Sequence, residues 1–418
     1  MTNKVYPEFT LKVHPEERSR TSIPLSTTLS LSKGRRAKLI LEDGTVFEGQ
    51  TAGGYRSSSG EVVFTTGMVG YEQSLTDPSY AGQILVFTYP LIGNWGVPPK
   101  DFWESEKIQV SGVVISDLTQ TPSHWQSEKT LEQWLQEENI PAIVGVDTRA
   151  LTQKLRQKGV MLGKIIVGDQ DVDFYNPNLT NLVAQVSPKE VKIYHPESLD
   201  RNSKLREESQ SEGTRFFGFQ PQNDKKKSYN SFKIALLNCG AKRNILRNLL
   251  ARGATVYELP WDYDPFDNGL RIDGLVISNG PGDPKIIDKS IEIIKIAIKK
   301  KMPTFGICLG NQLLALAAGG NTYKLKFGHR AQNQPTIQVG TKRCFITTQN
   351  HGFAVDEKKL PDGFQRWFYN ANDNTNEGII HQKLPFFSVQ FHPEANPGPK
   401  DTEWLFDYFF NEVEKRAV

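Results

Sequence analysis

Short apolar runs separated by turn residues fill the chain from residue 38 to about residue 190. The first run, residues 37–49, has the pattern of a β-hairpin that turns at Asp43-Gly44. Runs at residues 61–66 and 84–88 predict further strands, and helical spacing of apolar residues predicts helices elsewhere in this part. We therefore expect a smaller mixed α/β N-terminal domain over residues 38–190.

From residue 232 onward, strand patterns alternate with helical patterns. The predicted strands cover residues 233–237, 255–258, 274–278 and 304–307, and the predicted helices cover residues 243–251, 289–300 and 311–318. Such alternation is typical of a doubly wound, mainly parallel sheet. Residues 232–418 are therefore expected to form a second α/β domain, with its reactive groups at the carboxyl ends of the strands.

Residues 1–37 and 191–231 lack these patterns. The first segment is rich in Ser and Thr and ends in basic residues, which predicts a flexible tail; the second is polar and charged, which predicts a linker. A presequence for a mitochondrion or plastid would also be rich in Ser and Arg but poor in acids, so Glu8, Glu16 and Glu17 favour a cytoplasmic protein. The organellar alternative stays open.

Overall charge and cysteine content limit the classes of function. The 418 residues carry a formal net charge of +3, which is too small to predict binding to nucleic acid or to an anionic membrane. The three cysteines show no zinc-site spacing, so we expect a reducing compartment and no metal in this chain. No apolar run has the length that predicts a membrane helix.

Cys308 lies between the predicted strand 304–307 and the predicted helix 311–318. Gly306 and Gly310 flank it with the spacing of a nucleophile on a sharp strand-to-helix turn. The N–H groups at the start of a helix favour the thiolate form, which is the reactive one. Cys308 is thus a candidate nucleophile, against the alternative of a small buried apolar residue.

His392 and Glu394 follow an apolar strand pattern at residues 386–391. In extended chain, residues two apart point to the same side, so the Glu394 carboxylate is expected to reach the His392 ring. A thiol, an imidazole and an orienting carboxylate together form a nucleophile, base and orienter set. We therefore predict Cys308, His392 and Glu394 as catalytic residues.

Four segments of the second domain carry a family resemblance: Ser278-Asn-Gly-Pro-Gly-Asp-Pro284, Phe305-Gly-Ile-Cys-Leu-Gly310, Gln349-Asn-His-Gly-Phe353 and Gln390-Phe-His-Pro-Glu394. They resemble class I, triad-type glutamine amidotransferases. Four segments of the first domain are similar to the small subunit of carbamoyl-phosphate synthetase: Gly70-Tyr71, Leu75-Thr-Asp-Pro-Ser-Tyr80, Thr88-Tyr-Pro-Leu-Ile-Gly-Asn-Trp-Gly96 and Val146-Asp-Thr-Arg149. In the second domain, Cys239-Gly-Ala-Lys-Arg-Asn244 is similar to the same subunit. The resemblance covers about residues 38–418.

This resemblance implies that Cys308 attacks the side-chain amide of L-glutamine, forms a thioester and releases ammonia. The oxyanion is then expected to meet the N–H of Leu309 and an N–H of the Gly280-Pro-Gly282 loop. The same resemblance implies the residues that bind glutamine: Ser79, Gly280, Gly282, Leu309, Gln312, Asn350, Gly352 and Phe353. It assigns no catalytic role to Lys242 or His351, although both lie in matching motifs.

The resemblance also implies a partner, a large synthetase subunit that receives the ammonia and carries ATP and Mg²⁺; this chain shows no phosphate-binding loop of its own. The assembled activity would supply carbamoyl phosphate for arginine and pyrimidine synthesis. Two alternatives stay open: an amidotransferase of another pathway, and a catalytically idle subunit that docks and regulates the synthetase. Asn311 departs from the family pattern, which has His there, and a modest effect is expected.

Overall fold

The computed structural model describes residues 36–196 and 232–417. Nearly all of the predicted tail and most of the predicted linker lie outside the described residues.

Seven strands of the N-terminal part close into a barrel, in the order β1-β2-β8-β6-β4-β3-β9. Their bounds are β1 Arg36–Leu41, β2 Val46–Gly53, β3 Ser58–Thr65, β4 Gln83–Phe87, β6 Gly112–Ile115, β8 Pro141–Val144 and β9 Met161–Val167. The predicted hairpin is confirmed, since β1 pairs with β2 in antiparallel register. Closure itself was not predicted, because it depends on β9 pairing with both β1 and β3, which are distant in sequence.

Four helices and a two-stranded sheet lie between or after the barrel strands in the sequence. The helices are α1 Tyr71–Thr76, α2 Leu131–Glu137, α3 Thr148–Lys158 and α4 Val183–Val186, and the small sheet pairs β5 Leu91–Ile92 with β7 Asp117–Leu118. A short 3₁₀ turn at Pro78–Tyr80 follows α1, and the side chain of Asp77 caps it by accepting from the N–H of Ser79. This turn fixes Ser79, one of the predicted glutamine ligands.

Ten strands form the second sheet, in the order β10-β12-β11-β13-β14-β19-β18-β17-β15-β16. Their bounds are β10 Lys192–Tyr194, β11 Lys233–Asn238, β12 Thr255–Pro260, β13 Gly274–Ile277, β14 Thr304–Ile307, β15 Thr322–Gln338, β16 Cys344–Val355, β17 Phe364–Asn370, β18 Asn376–His381 and β19 Phe386–Val389. The strands from β12 to β19 in this order pair in parallel, and all other pairs are antiparallel.

Helices cover both faces of the parallel half of this sheet. They are α5 Arg243–Leu250, α6 Asp288–Lys299, α7 Leu309–Ala317 and α8 Trp404–Ala417. Alternate residues of β11 enter different cores: Leu236 packs with residues of α5 and α8, whereas Leu237 packs with residues of α6 and α7. The predicted doubly wound α/β class is confirmed; five of the ten described strands form the parallel part of the sheet, and the other five pair in antiparallel fashion.

Apolar patterning did not predict the antiparallel strands β15 to β18. The longest, β15, contains Lys324, Lys326, His329, Arg330 and several amides, so it has no apolar run that predicts a strand. Its pairing with β16 over most of its length holds it in place instead. This polar strand supplies residues to the site described next.

Candidate active site

Cys308 occupies a strained turn between β14 and α7. Its backbone has φ 54° and ψ −101°, a conformation that residues with a side chain rarely adopt. A Cβ on Gly306 would stand 2.5 Å from the carbonyl oxygen of Gly310, and a Cβ on Gly310 would stand 2.2 Å from the carbonyl oxygen of Ile277. Both glycines are therefore required by close backbone contact, and the predicted nucleophile elbow is present.

The thiol of Cys308 is buried, with 2% of the residue exposed. It donates to the carbonyl oxygen of Asn350 over 3.6 Å, and the side-chain amide of Gln390 donates to the sulfur over 3.8 Å. Asn350 and Gln390 come from two of the family-like segments, so the fold brings those segments together around the sulfur.

The His392 ring donates through Nδ1 to Oε1 of Glu394 over 2.6 Å, and both side chains are buried. The chain is a turn at this point, because the N–H of Ala395 donates to the carbonyl oxygen of His392. The predicted contact is therefore made, but by a turn and not by extended chain. Nε2 of His392 makes no hydrogen bond among the described residues and remains available to a reactant.

Charges around His392 favour its protonated form. Burial alone lowers the pKa of His392, but the Glu394 carboxylate and the nearby Cys308 sulfur outweigh it and raise the pKa to about 10. Burial likewise raises the pKa of Glu394, while Lys242 and His392 more than reverse this and lower it to about 2. The geometry thus stabilises an imidazolium beside the sulfur.

Lys242 joins this set from the start of α5. Its Nζ lies 3.2 Å from Oε1 of Glu394 and also donates to the carbonyl oxygen of Ala395, and the side chain is 2% exposed. Burial lowers the pKa of Lys242, but Glu394, Glu104 and Asp77 outweigh it and raise the pKa above its ordinary value. Lys242 is therefore a permanent buried cation behind the histidine.

A cleft of about 390 Å³ opens at the sulfur, and we call it the thiol cleft. Cys308 and every residue predicted to bind glutamine line it: Ser79, Gly280, Gly282, Leu309, Gln312, Asn350, Gly352 and Phe353. Five further residues line the cleft that the sequence did not predict as cleft residues: Glu61, Gln83, Asn178, Arg330 and His351. Glu61, Gln83 and Asn178 come from the barrel half of the chain, so both halves build the cleft.

Hydrogen bonds tie the Ser79 turn to the second sheet. Asn279 donates to the Ser79 hydroxyl over 2.8 Å and to Asp77 over 3.2 Å. Asn350 donates to the other oxygen of Asp77 over 3.1 Å. The Asp77-Pro-Ser79 segment, which by itself predicts an ordinary turn, is thereby fixed against two segments of the cleft.

A second cavity of about 320 Å³ lies on the histidine side, and we call it the imidazole cavity. His392 and Lys242 line it, whereas Cys308 lines the thiol cleft. Asn350 lines both. Cys308 and His392 therefore line different cavities.

Two family matches cover most of the described residues. Residues 39–165 match the carbamoyl-phosphate synthase small chain, CPSase domain, and residues 235–412 match glutamine amidotransferase class-I. The carbamoyl phosphate synthase arginine-specific small chain of Saccharomyces cerevisiae is 44% identical over 399 residues, which cover 92% of this chain and 90% of the yeast protein. This chain belongs to the carbamoyl-phosphate synthase small-chain family.

Other relatives of this small-chain family member are much longer proteins. The multifunctional protein CAD of Squalus acanthias is 47% identical over 89% of this chain, but the chain spans 16% of its length. The human protein named carbamoyl-phosphate synthase [ammonia], mitochondrial, is 43% identical over 92% of this chain, which spans 24% of its length. Among solved structures, a glutamine amidotransferase from Thermotoga maritima is 19% identical, with a TM-score of 0.32 over 46% of this chain and 86% of that one.

Asn311, the departure from the small-chain family pattern, is fully buried behind the site. It donates to the side-chain oxygen of Gln390 over 3.1 Å and accepts from the Ser388 hydroxyl over 2.8 Å. Gln312 donates to the same oxygen of Gln390 over 3.1 Å. Asn311 therefore acts on the sulfur through Gln390.

His329, His351 and Glu377 form a group whose ligand atoms lie within 4.8 Å of one another and could hold a metal ion. Burial lowers the pKa of His329, but the carboxylates of Asp373 and Glu377 outweigh it and raise the pKa to about 9. Nε2 of His329 lies 2.8 Å from Asp373 and its Nδ1 lies 3.3 Å from Glu377, so these side chains form an ion-pair network. The predicted absence of a metal stays a prediction.

Within residues 36–196 and 232–417, no helix combines the length and the apolar composition needed to cross a bilayer.

Proposed function

We propose that this chain is the glutaminase subunit of a glutamine-dependent carbamoyl-phosphate synthetase. The observation that carries the proposal is the buried Cys308 in a cleft lined by all the predicted glutamine ligands, together with the buried set of His392, Glu394 and Lys242. As in the sequence-based prediction, Cys308, His392 and Glu394 are the catalytic residues.

The first half of the reaction forms a thioester. The Cys308 sulfur attacks the side-chain carbonyl carbon of glutamine, and the oxyanion accepts hydrogen bonds from the N–H of Leu309 and from the Gly280–Gly282 loop. When the carbon–nitrogen bond breaks, His392 transfers its proton to the departing amine, which leaves as ammonia. Glu394 and Lys242 keep the ring oriented during this transfer.

The second half returns the enzyme to its starting state. His392 takes a proton from water, and the resulting hydroxide attacks the thioester carbon. The carbon–sulfur bond then breaks, releasing glutamate and the Cys308 thiolate. No residue needs to move to a second position, because the same Nε2 serves both steps.

We propose that ammonia leaves the site through the imidazole cavity. His392, which protonates the departing amine, lines that cavity. We propose that a large synthetase subunit, the partner, receives the ammonia there and carries the ATP and Mg²⁺. Carbamoyl phosphate from the complex would feed arginine and pyrimidine synthesis.

The test is an assay of the purified chain with a large synthetase subunit, using glutamine or ammonia as the nitrogen source. Cys308→Ser should abolish carbamoyl phosphate formation from glutamine and leave formation from ammonia intact. The human relative whose name specifies ammonia makes the idle docking subunit the second candidate. That candidate requires the wild-type chain to release no glutamate, alone or in the complex.

Two further proposals concern the chain as a whole. We propose domains over residues 38–190 and 232–418, joined by the linker 191–231, whose first residues add strand β10 to the second sheet. Limited proteolysis tests these boundaries. We propose a cytoplasmic location, with an organelle as the alternative if residues 1–37 are a transit peptide. Imaging of a C-terminal fluorescent fusion with and without those residues distinguishes the two.

A further inference from the structure

Arg330 is a buried cation in the wall of the thiol cleft, and the mechanism does not use it. It is 5% exposed and lies on β15. Nη1 donates to the carbonyl oxygen of Phe327 over 2.8 Å, while Nε has no hydrogen-bond partner among the described residues. No described carboxylate lies within ion-pair distance of this guanidinium. Burying a charge in this way is costly unless an anion binds to it.

Two glycines keep space open around the Arg330 guanidinium. A Cβ on Gly328 would stand 2.6 Å from Nη1, and a Cβ on Gly352 would stand 3.3 Å from Nη2. Since Nη1 is already bonded, Nε and Nη2 form the remaining edge. That edge of a guanidinium matches a carboxylate with two parallel hydrogen bonds.

Glu61 places the opposite charge in the same wall. It is 3% exposed, and its Oε1 accepts from Asn178 over 3.0 Å and from Lys324 over 2.5 Å. Its Oε2 has one long contact, 3.5 Å from the Gln83 amide nitrogen. The amide oxygen of Gln83 is buried and has no partner among the described residues. These oxygens can accept from an ammonium group, which has three donors.

The two charges are close but separate. Glu61 and Arg330 line the same cleft, and the Glu61 carboxylate opposes the lowering of the Arg330 pKa that burial causes. The Glu61 and Arg330 side chains nonetheless form no ion pair. A free amino acid carries an ammonium and a carboxylate on one carbon, which is the charge pair that such a wall complements.

We infer that Arg330 binds the α-carboxylate of glutamine and that Glu61, with the Gln83 oxygen, binds its α-ammonium. The inference rests on the proposed function and assigns the end of the substrate that does not react. It makes the cleft selective for free glutamine over a glutamine residue within a peptide, which lacks both charges.

The test combines substrate truncation with mutation. Two competitive inhibitors of glutamine hydrolysis are compared with glutamine: 4-aminobutanamide, which lacks the α-carboxylate, and 4-carbamoylbutanoate, which lacks the α-amino group. Wild type, Arg330→Met, Glu61→Gln and the control Arg366→Met are assayed by glutamate release. Arg366 is a suitable control because it pairs with Glu357 and does not line the cleft.

In the wild type and in Arg366→Met, each truncation should weaken binding by about 10- to 100-fold, as expected for a charge-assisted hydrogen bond. In Arg330→Met, 4-aminobutanamide, which lacks the carboxylate, should bind less than about 3-fold more weakly than glutamine. The inhibitor without the amino group should still bind more weakly by the full factor. Glu61→Gln should show the reverse pattern. If these residues had only a structural role, the substitutions would raise the inhibition constants and the KM for glutamine together. The ratios of each inhibition constant to that KM would then equal the wild-type ratios, and this result would overturn the inference.

Wild-type inhibition alone is decisive if a variant fails to fold. Equal binding of 4-aminobutanamide and glutamine to the wild type would exclude the role of Arg330, and Arg330→Lys, which keeps the charge, provides a milder second variant. Failure of the proposed function looks different: the wild-type chain would then release no glutamate from glutamine, with or without the large subunit.

Discussion

Lys242 and Glu394 form an ion pair that is almost completely buried, with Nζ 3.2 Å from Oε1 and exposed side-chain fractions of 2% and 0%. Glu394 also holds the His392 ring. The lysine therefore stabilises the buried Glu394 carboxylate with a constant positive charge. The other cationic partner of Glu394, His392, gains and loses its charge during turnover. This relationship connects the start of α5 to the catalytic turn after β19.

Replacing Lys242 by Met should destabilise the protein by about 3–5 kcal/mol, because it leaves a buried carboxylate without its permanent counter-ion. Glutamate release should also fall, since the pKa of Glu394 then rises and the carboxylate stabilises the imidazolium less. Urea unfolding and a glutaminase assay measure the two effects. The control is Lys289→Met, which breaks an exposed pair with Glu292 and should change stability by less than about 0.5 kcal/mol. Equal effects of the two substitutions would contradict the prediction.

His392 should make stability depend on alkaline pH. The folded protein holds the imidazole proton more tightly than the unfolded chain, because the pKa is raised from 6.5 to about 10. The contribution is therefore complete below pH 6.5 and is lost as pH rises toward 10. The free energy of unfolding of wild type minus that of His392→Asn should shrink between pH 7 and pH 10.

His381→Asn is the matched control for that titration. Burial and Lys383 lower the pKa of His381, so its ring is neutral throughout this range and its difference from wild type should stay constant. A constant difference for His392→Asn as well would show that its ring is neutral in the folded protein.

The sequence predicted the parts of the site that depend on neighbouring residues. Gly306, Cys308 and Gly310 specify the elbow because the steric conflicts they avoid are local, or involve the adjacent strand β13. Eight residues of the thiol cleft were predicted through motifs, and the contact of His392 with Glu394 was predicted although its backbone reason was wrong. The glutamine role of these residues remains a proposal.

Other parts depend on contacts between distant segments and left no local signal. Glu61 on β3 and Arg330 on β15 are more than 260 positions apart, and nothing in their flanking patterns relates them. Barrel closure by β9 and the formation of the polar strand β15 likewise depend on pairing between distant segments. The sequence gives one weak indication of such site residues, which is a charged residue within a strand pattern. If that residue is buried, it needs a partner or a ligand.

The backbone strain at Cys308 predicts an unusual stability order. Both Cys308→Gly and Cys308→Ala remove the thiol and should abolish glutamate release. Glycine adopts φ 54° without the steric cost that alanine retains, so the glycine variant should be more stable than the alanine variant by about 1 kcal/mol. Thermal and urea unfolding of both variants provide the comparison. An alanine variant as stable as the glycine variant would mean that the elbow relaxes once the thiol is gone.

Asn311 should affect the rate through Gln390 and not through substrate contact. Asn311→Ala removes partners from the buried Ser388 hydroxyl and from the Gln390 oxygen, so we expect a loss of about 1–3 kcal/mol in stability. Because Gln390 also donates to the Cys308 sulfur, kcat for glutamate release should fall, while KM changes little since Asn311 does not line the thiol cleft. The control is Gln312→Ala, which removes a cleft residue bonded to the same Gln390 oxygen and should raise KM as well. If Asn311→Ala raised KM as strongly as Gln312→Ala, the effect would have to pass through the cleft, and the assignment of Asn311 as a support for Gln390 would be wrong.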